Sequence, residues 1–406
     1  MKRLHYGWVM VIGAIPLLAV QALTFYSFGI FIRPVTQQFN WERGALSIAI
    51  SLTMLVSGPL SIIAGRLSDK YGPRLLLTAS GFLTGIGFLL MSRISELWHV
   101  YLIFGSIIAI GNSASVVPLT TAIPRWFEKK RGMALGLTWT GIGLGGVTGP
   151  LLSQWLIDTF DWRWAYVTLG IANLVIFIPL AQLMRRDPAQ IGLKPYGAED
   201  DSDNLNPLSS AEGVTFQQAL KSAHFWLTGM MLFCLVFIGQ IIINHLPPHA
   251  MDIGIPATVA ASFISLYATT SLVGRNLCGF ITDRIGARWM MLIGFVLITT
   301  SLVWLLFASE IWMFYLFASL YGISFGLIVP LQTLMPGELF GLKSLGIITA
   351  MLMFMGNIGG AIGSPLAGAI FDATGDYQNA FFICAGFAAL AIILGIILLR
   401  IKIKKV

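Results

Sequence analysis

The sequence predicts an all-α membrane protein, with twelve transmembrane helices arranged as two pseudo-symmetric six-helix bundles. Three observations lead there. The 406 residues are 56% hydrophobic and only 11% charged, with mean hydropathy +0.82, whereas a soluble domain carries about 25% charged residues. Apolar runs of bilayer-crossing length fall near residues 8–32, 45–65, 75–92, 98–121, 133–157, 164–184, 223–246, 257–281, 289–308, 311–335, 345–370 and 378–400. The chain also repeats itself. A ten-residue pattern at 65–74 returns at 279–288, and a glycine–proline pattern ending at Pro150 returns at Pro365, displacements of 214 and 215 residues. Two patterns at nearly one displacement indicate duplication, and paired halves are a hallmark of secondary transporters.

The first run follows MKRLHYGW, which looks like the basic region of a signal peptide. The run is too long and lacks a small-residue cleavage site, so it is expected to remain as the first span. The loops set orientation. With both termini cytoplasmic, the inner side receives twenty of the 25 Lys and Arg residues. The outer side receives Arg33, Arg43, Arg93 and Arg163, and Arg275 is left inside a span. The opposite orientation reverses this ratio, so the positive-inside rule selects the first. A net charge of +7 then needs no nucleic-acid partner. Cys234, Cys278 and Cys384 all lie in apolar runs and read as small hydrophobes, not as disulfides or metal ligands.

One long connection, 185–222, carries three prolines and the acidic cluster Glu199, Asp200, Asp201 and Asp203. It reads as a solvated linker with a short amphipathic helix at Thr215–His224. The expected organisation is an N-terminal six-helix bundle (1–184), a cytoplasmic linker (185–222) and a C-terminal six-helix bundle (223–406).

The stretch 267–283, YATTSLVGRNLCGFITD, is apolar yet contains Arg275. An arginine near the bilayer centre costs about 2.5–3.5 kcal/mol on insertion scales, and it cannot escape by deprotonation. Such a charge persists only with a polar surrounding and a partner. Tyr267, Ser271 and Arg275 are four apart and form one polar stripe on a helix. The stripe reads as an anion-binding site; the competing reading is a structural charge that caps carbonyls or pairs with an internal acid. No acid falls at comparable depth in another span.

The repeated pattern is Gly65, Asp69, Lys70, Gly72 and Arg74 in the first half, and Gly279, Asp283, Arg284, Gly286 and Arg288 in the second. It resembles the loop-two signature of the major facilitator superfamily, and the resemblance extends over the whole chain. It implies a conformational latch on the inner side. Glycines would let helices two and eleven approach closely, and Asp69 would sit near a helix N-terminus and pair with a basic residue. In helix five, Gly136, Gly145, Gly149 and Pro150 resemble the glycine–proline motif of antiporters in that superfamily, without its following glycine pair. Glycines on one face also simply permit tight packing.

The segment Trp126-Phe127-Glu128-Lys129-Lys130-Arg131-Gly132, continuing to Ala134 and Gly136, is similar to the signature at the start of helix five in monocarboxylate transporters and oxalate/formate-type exchangers. Tyr6-Gly7-Trp8 is partly similar to their helix-one signature and lacks its acid. The resemblance gives Arg275 the role of holding substrate carboxylate. Dicarboxylate exchangers of the group add a lysine in helix eleven, where 345–370 has no Lys or Arg. One fixed charge suits a monoanion, because each desolvated carboxylate needs its own partner.

Further polar residues in apolar spans are Tyr26 and Gln21 in helix one, Asn112 in helix four, Gln240 and Asn244 in helix seven, Asn276 beside Arg275, Tyr321 and Ser324 in helix ten, and Asn357 in helix eleven. Each either lines a substrate cavity or hydrogen-bonds between helices. His245, His249 and Asp252 are expected at the outer, watery end of helices seven and eight, as candidates for proton coupling. An integral-membrane enzyme would need clustered His, Asp or Glu at one depth, which the spans lack. The expected function is therefore secondary active transport of a small monocarboxylate such as lactate or pyruvate, with proton symport by alternating access. The alternative is organic anion exchange of the oxalate/formate kind. The expected partners are that anion, a proton and the lipid bilayer, with no metal, cofactor or nucleic acid. The protein is expected as a monomer in a bacterial inner membrane.

Overall fold

The computed structural model describes residues 5–197, 214–341 and 344–401, leaving aside the side chains of Asp69, Arg131, Gly132, Gly279, Phe280, Asp283 and Leu345. Among the described residues, eleven helical stretches are long and apolar enough to cross a membrane. The twelfth span of the sequence reading is α7 (Arg131–Thr159), 29 residues long. Its glycines and threonines dilute its hydropathy without shortening it. The elements are α1 (Tyr6–Phe39), α2 (Arg43–Tyr71), α3 (Pro73–Met91), α4 (Leu97–Leu102), α5 (Ala109–Ser113), α6 (Val116–Ala122), α7, α8 (Trp162–Ala181), α9 (Phe216–Leu220), α10 (Ala223–Asp252), α11 (Ala257–Ile285), α12 (Ala287–Leu305), α13 (Ile311–Ile328), α14 (Leu331–Phe340), α15 (Leu345–Thr374) and α16 (Gln378–Arg400). This is the fold expected from the sequence. The amphipathic helix expected at Thr215–His224 is shorter: α9 is capped by Thr215, and a new cap at Ser222 starts α10.

The chain divides into two compact units. One comprises Met1–Trp41 and Ile48–Leu205; the other comprises Glu42–Ser47 and Asn206–Val406. Each is built the same way. In the first, α1 packs on α7 and α3 on α8. In the second, α10 packs on α15, α12 on α16 and α11 on α13. Glycine makes these seams. A Cβ on Gly141 or Gly145 would overlap the backbone oxygen of Ile15 or Ala19, and one on Gly149 would come within 2.8 Å of the Leu23 Cα. The second unit repeats the device, with Gly359 and Gly363 against the carbonyls of Phe233 and Phe237. In lipid, apolar surface gains little by meeting apolar surface, so helices associate through close van der Waals approach. The helix-five glycines therefore do a packing job.

Two spans are interrupted. Between α4 and α5 the chain takes a π-helical turn at Ile103–Ile108. There Gly105 lies on Leu52 of α2, and the Thr53 hydroxyl donates to the Phe104 carbonyl at 3.0 Å. The tenth span breaks between α13 and α14 at Val329–Pro330. By contrast α10 runs through Pro247 and Pro248 to Asp252, past the expected end at 246, since spanning helices tolerate proline where neighbours re-satisfy the freed groups.

The repeated loop pattern gives matched turns. Gly72 (φ 84°, ψ 163°) opens α3, and Gly286 (φ 82°, ψ 155°) joins α11 to α12. That region of φ/ψ is open in practice only to glycine. A Cβ on Gly65 would meet Val117 and one on Gly72 would meet Arg186. In the second unit, Gly44 lies on Gly368 and Ala369.

The seams predict a matched pair of variants. Gly145→Ala should lower the thermal stability of the purified protein by about 1–3 kcal/mol, the cost of overpacking. Gly136→Ala, in the same helix with nothing within 4 Å of the added methyl, should be neutral or slightly stabilising. Thermal scans of both in detergent provide the check.

Candidate functional site

Arg275 sits on α11, one turn beyond Ser271 and two beyond Tyr267. Tyr267 is 1% exposed and Ser271 2%. Both lie in the seam with α13, where the Tyr267 and Tyr321 rings are 5.6 Å apart and Phe325 packs on both. The seam is tight: a Cβ on Gly326 would overlap the Ser271 carbonyl, and one on Gly274 that of Ile323. Among the described residues no carboxylate pairs with Arg275, and its Nε is buried with no hydrogen-bond partner. The Ser271 hydroxyl is buried and likewise without a partner among them. Buried polar groups are nearly always satisfied, and these two atoms, one helical turn apart on α11, are among the buried polar atoms that are not.

The other candidates separate into several fates. Tyr321 joins Tyr267 in the seam. Asn276 is exposed and spends its amide on the Leu272 carbonyl of its own helix, at 2.9 Å. Asn357 is partly buried on α15. Tyr26 and Asn112 belong to the first unit: Tyr26 is 6% exposed with its ring edge-to-face on Phe25, and Asn112 is partly buried. Gln240 and Asn244 bond each other within α10, at 3.0 Å. Ser324 donates to the Leu320 carbonyl.

Of the proton-coupling candidates, His245 is buried within α10, whereas Asp252 is the last residue of that helix and exposed. They lie on the last turns of α10, because that helix continues past its two prolines. Asp252 forms a two-pronged ion pair with Arg43, at 2.6 and 2.9 Å. His245 is fully buried. Its Nε2 lies 2.8 Å from the Ser364 carbonyl, which can only accept, so Nε2 carries the proton. Its Nδ1 then accepts from the Tyr377 hydroxyl at 3.2 Å, and that oxygen accepts from Arg43 at 3.0 Å. Burial pushes the Tyr377 phenol up from its ordinary value, so it stays protonated and keeps the chain of bonds directed. His249 is ringed by Phe314, Tyr377 and Phe381 and lines a cavity of about 320 Å³ with Ser309 and Gln378.

Of the inner-loop residues, the side chains of Asp69 and Asp283 lie outside the described residues. Lys70 and Arg284 are exposed, and Arg74 donates to Gln182 on α8. In the second unit Glu338 accepts from the Ala287 amide at 3.2 Å and pairs with Arg288 at 3.5 Å. An acid there caps the start of α12.

The two aromatic signatures, far apart in sequence, touch. A Cβ on Gly7 would come within 3.1 Å of the Phe127 ring, Trp8 stands edge-on to it, and Tyr6 tilts over Trp126. The Trp126 indole donates to the Arg185 carbonyl, the Tyr6 hydroxyl to that of Leu183, and Tyr196 pairs with the 126–129 backbone. Sequence reasoning missed Arg43, Asp372, Tyr377 and Ser364. The one available signal was the scarcity of outer arginines, which made each of the four notable.

Known proteins resemble the chain over most of its length. The Major Facilitator Superfamily model matches residues 14–282 and 241–405. The chain is 28% identical over 397 residues to monocarboxylate transporter 13 of Bos taurus, covering 94% of this chain and 87% of that one. It is 27% identical over 392 residues to monocarboxylate transporter 11 of Mus musculus, covering 94% and 85%. A bacterial homologue of the human lysosomal transporter Spinster superposes with TM-score 0.80 at 13% identity, covering 98% of each chain. A structure of the nucleoside transporter NupG gives 0.75 at 13% identity, covering 96% of this chain and 100% of that one. At such identity these structures speak for the fold alone.

The aromatic contact yields a prediction. Phe127 is fully buried, so Phe127→Ala should cost about 3–5 kcal/mol and sharply lower the folded yield. Tyr6→Phe, which gives up only the bond to Leu183, should cost about 1 kcal/mol. Fluorescence-detected size-exclusion profiles after graded heating measure both.

Proposed function

We propose, from the premise that the chain belongs to the Major Facilitator Superfamily and is a membrane transporter rather than an enzyme, that it carries small monocarboxylates of the lactate or pyruvate kind with a proton, by alternating access. The observation that carries this reading is the open pair on α11: the buried, unpartnered Nε of Arg275 and hydroxyl of Ser271. A guanidinium offers a planar fork that matches a carboxylate. The similarity to monocarboxylate transporters 13 and 11 supports the same class of substrate. Residues 345–370 supply no second cation, which favours a single carboxylate over two.

The same charge explains obligate loading. An empty guanidinium is costly to enclose in apolar surroundings. A bound carboxylate removes that cost and lets the carrier close. The proton is assigned to the neighbourhood of Asp252, whose surroundings hold Arg43, Asp372, Asp376, Tyr377 and His249. The motif residues around Gly65, Asp69 and Lys70, with Asp283 and Arg284 in the second half, act as a latch on the cytoplasmic side. The excess of Lys and Arg in the loops on one side supports cytoplasmic termini and two six-helix bundles joined by 185–222. The second reading, anion exchange of the oxalate/formate kind, shares the arginine and differs in what drives flux.

Uptake of labelled lactate into proteoliposomes separates the two. Symport predicts accumulation driven by an inward pH gradient with no anion inside, inhibited by unlabelled pyruvate more strongly than by a dicarboxylate of equal length. Uptake indifferent to the gradient but dependent on internal anion, with oxalate the better competitor, leaves exchange standing.

A further inference from the structure

The second compact unit holds a cavity whose lining includes none of the Arg275 stripe. It lies where α10 and α12 end and α16 begins, with a volume of about 320 Å³. Its walls are apolar: Ile253 just past the end of α10, Leu305 from α12 and Phe381 from α16. Three polar side chains interrupt them, His249, Ser309 and Gln378. The His249 ring is held by aromatic neighbours, 5.0 Å from Phe381 and 5.9 Å from both Phe314 and Tyr377. Its side chain makes no hydrogen bond among the described residues, whereas His245, one turn earlier, uses both nitrogens. An imidazole held by ring contacts alone keeps one donor and one acceptor available where it lines the cavity.

Charge selects the occupant. No Lys or Arg lines the cavity. The charged groups that bear on His249 are both acids, Asp252 on α10 and Asp376 between α15 and α16. Asp252 is matched by the Arg43 guanidinium. Asp376 makes no ion pair among the described residues. It accepts from the Gln378 amide at 3.0 Å, which ties it to a residue of the cavity wall. A carboxylate entering here meets an uncompensated like charge, whereas an ammonium group is attracted. The Phe381 ring adds an aromatic partner for a cation.

Size and placement narrow the class. Ligand pockets run upward from about 300 Å³, so this one suits a single ring with a short side chain and is too small for a two-chain lipid. Its rim includes the connection between α12 and α13. There the Trp304 indole donates to the Met313 carbonyl at 3.1 Å and stands edge-on to Trp312 at 5.8 Å. Tryptophans gather at the membrane–water interface, where amphiphilic molecules also collect. We propose that the cavity is a binding site for small amphipathic amines. The ammonium is attracted by Asp376 and hydrogen-bonded by His249 and Ser309, and the apolar part lies on Leu305 and Phe381. The site is distinct in chemistry from the carboxylate site and independent of which anion is carried.

Titration of the purified full-length protein with phenethylamine, followed by saturation-transfer NMR, tests the site. Native protein and Arg275→Ala should bind the amine saturably and alike. Phenylacetate carries the same ring with the opposite charge. In Arg275→Ala, where the stripe no longer offers it a guanidinium, it should bind at least about tenfold more weakly than the amine. His249→Phe keeps the aromatic contacts and loses both nitrogens, and should weaken amine binding by about tenfold, as expected for a lost hydrogen bond to a charged group. Ala308→Trp fills the cavity from the α12–α13 connection with the imidazole intact. It should abolish binding, and it carries the test where His249→Phe fails to fold. No saturable binding of the amine by native protein would overturn the proposal. So would native affinity in the cavity variants, or phenylacetate binding as tightly as the amine in Arg275→Ala. Loss of amine binding in Arg275→Ala would move the amine to the stripe and overturn the proposal equally.

Discussion

A polar group inside a membrane has to find its partner within the protein, and the rest of this structure follows from that constraint. Serine and threonine hydroxyls along the spans turn back onto their own helices, as Thr36 does to Ile32 and Thr299 to Phe295. Asn244 closes on Gln240. His245 uses both nitrogens. Arg163 gives its guanidinium to the carbonyls of Ser92 and Ile94 at the end of α3. Arg275 Nε and the Ser271 hydroxyl are among the buried polar atoms that find no such partner, as are Asn173 Oδ1 and the Thr228 hydroxyl; what sets Arg275 apart is a charge within an apolar span.

The same constraint sets the packing. Helices in lipid gain little from apolar contact as such, so they must come close, and glycine is what lets them. Gly141, Gly145 and Gly149 on α7, Gly359 and Gly363 on α15, and Gly274, Gly322 and Gly326 between α11 and α13 carry the main seams of both units. Tyr267 and Ser271 are drawn into one of these seams. Close backbone contact with α13 at Gly274, Gly322 and Gly326 flanks both residues.

Much of this was legible in the sequence, because the membrane writes simple patterns. Spans show as apolar runs, the repeat shows as two matched motifs, and Arg275 shows as a charge where none belongs. Gly72 and Gly286 were legible as a pair, and each takes the positive-φ conformation that the loop demands. The misreadings have particular causes. The seventh span reads as ending at 246, whereas α10 continues through Pro247 and Pro248 to Asp252. Arg43 reads as one of four outer loop arginines, because its partners lie 209 to 334 residues away and no local period encodes them. The glycine–proline motif of helix five is open between exchange and packing until the α1 backbone is seen lying on it.

The central claim is that Arg275 holds the substrate carboxylate. Equilibrium binding of labelled lactate to purified protein tests it most directly, with native protein, Arg275→Lys and Arg275→Ala compared at equal folded fraction. The account predicts saturable binding by the native protein and little or none by either variant, because a point charge on lysine does not replace the planar fork. Native-like binding by Arg275→Ala would contradict it.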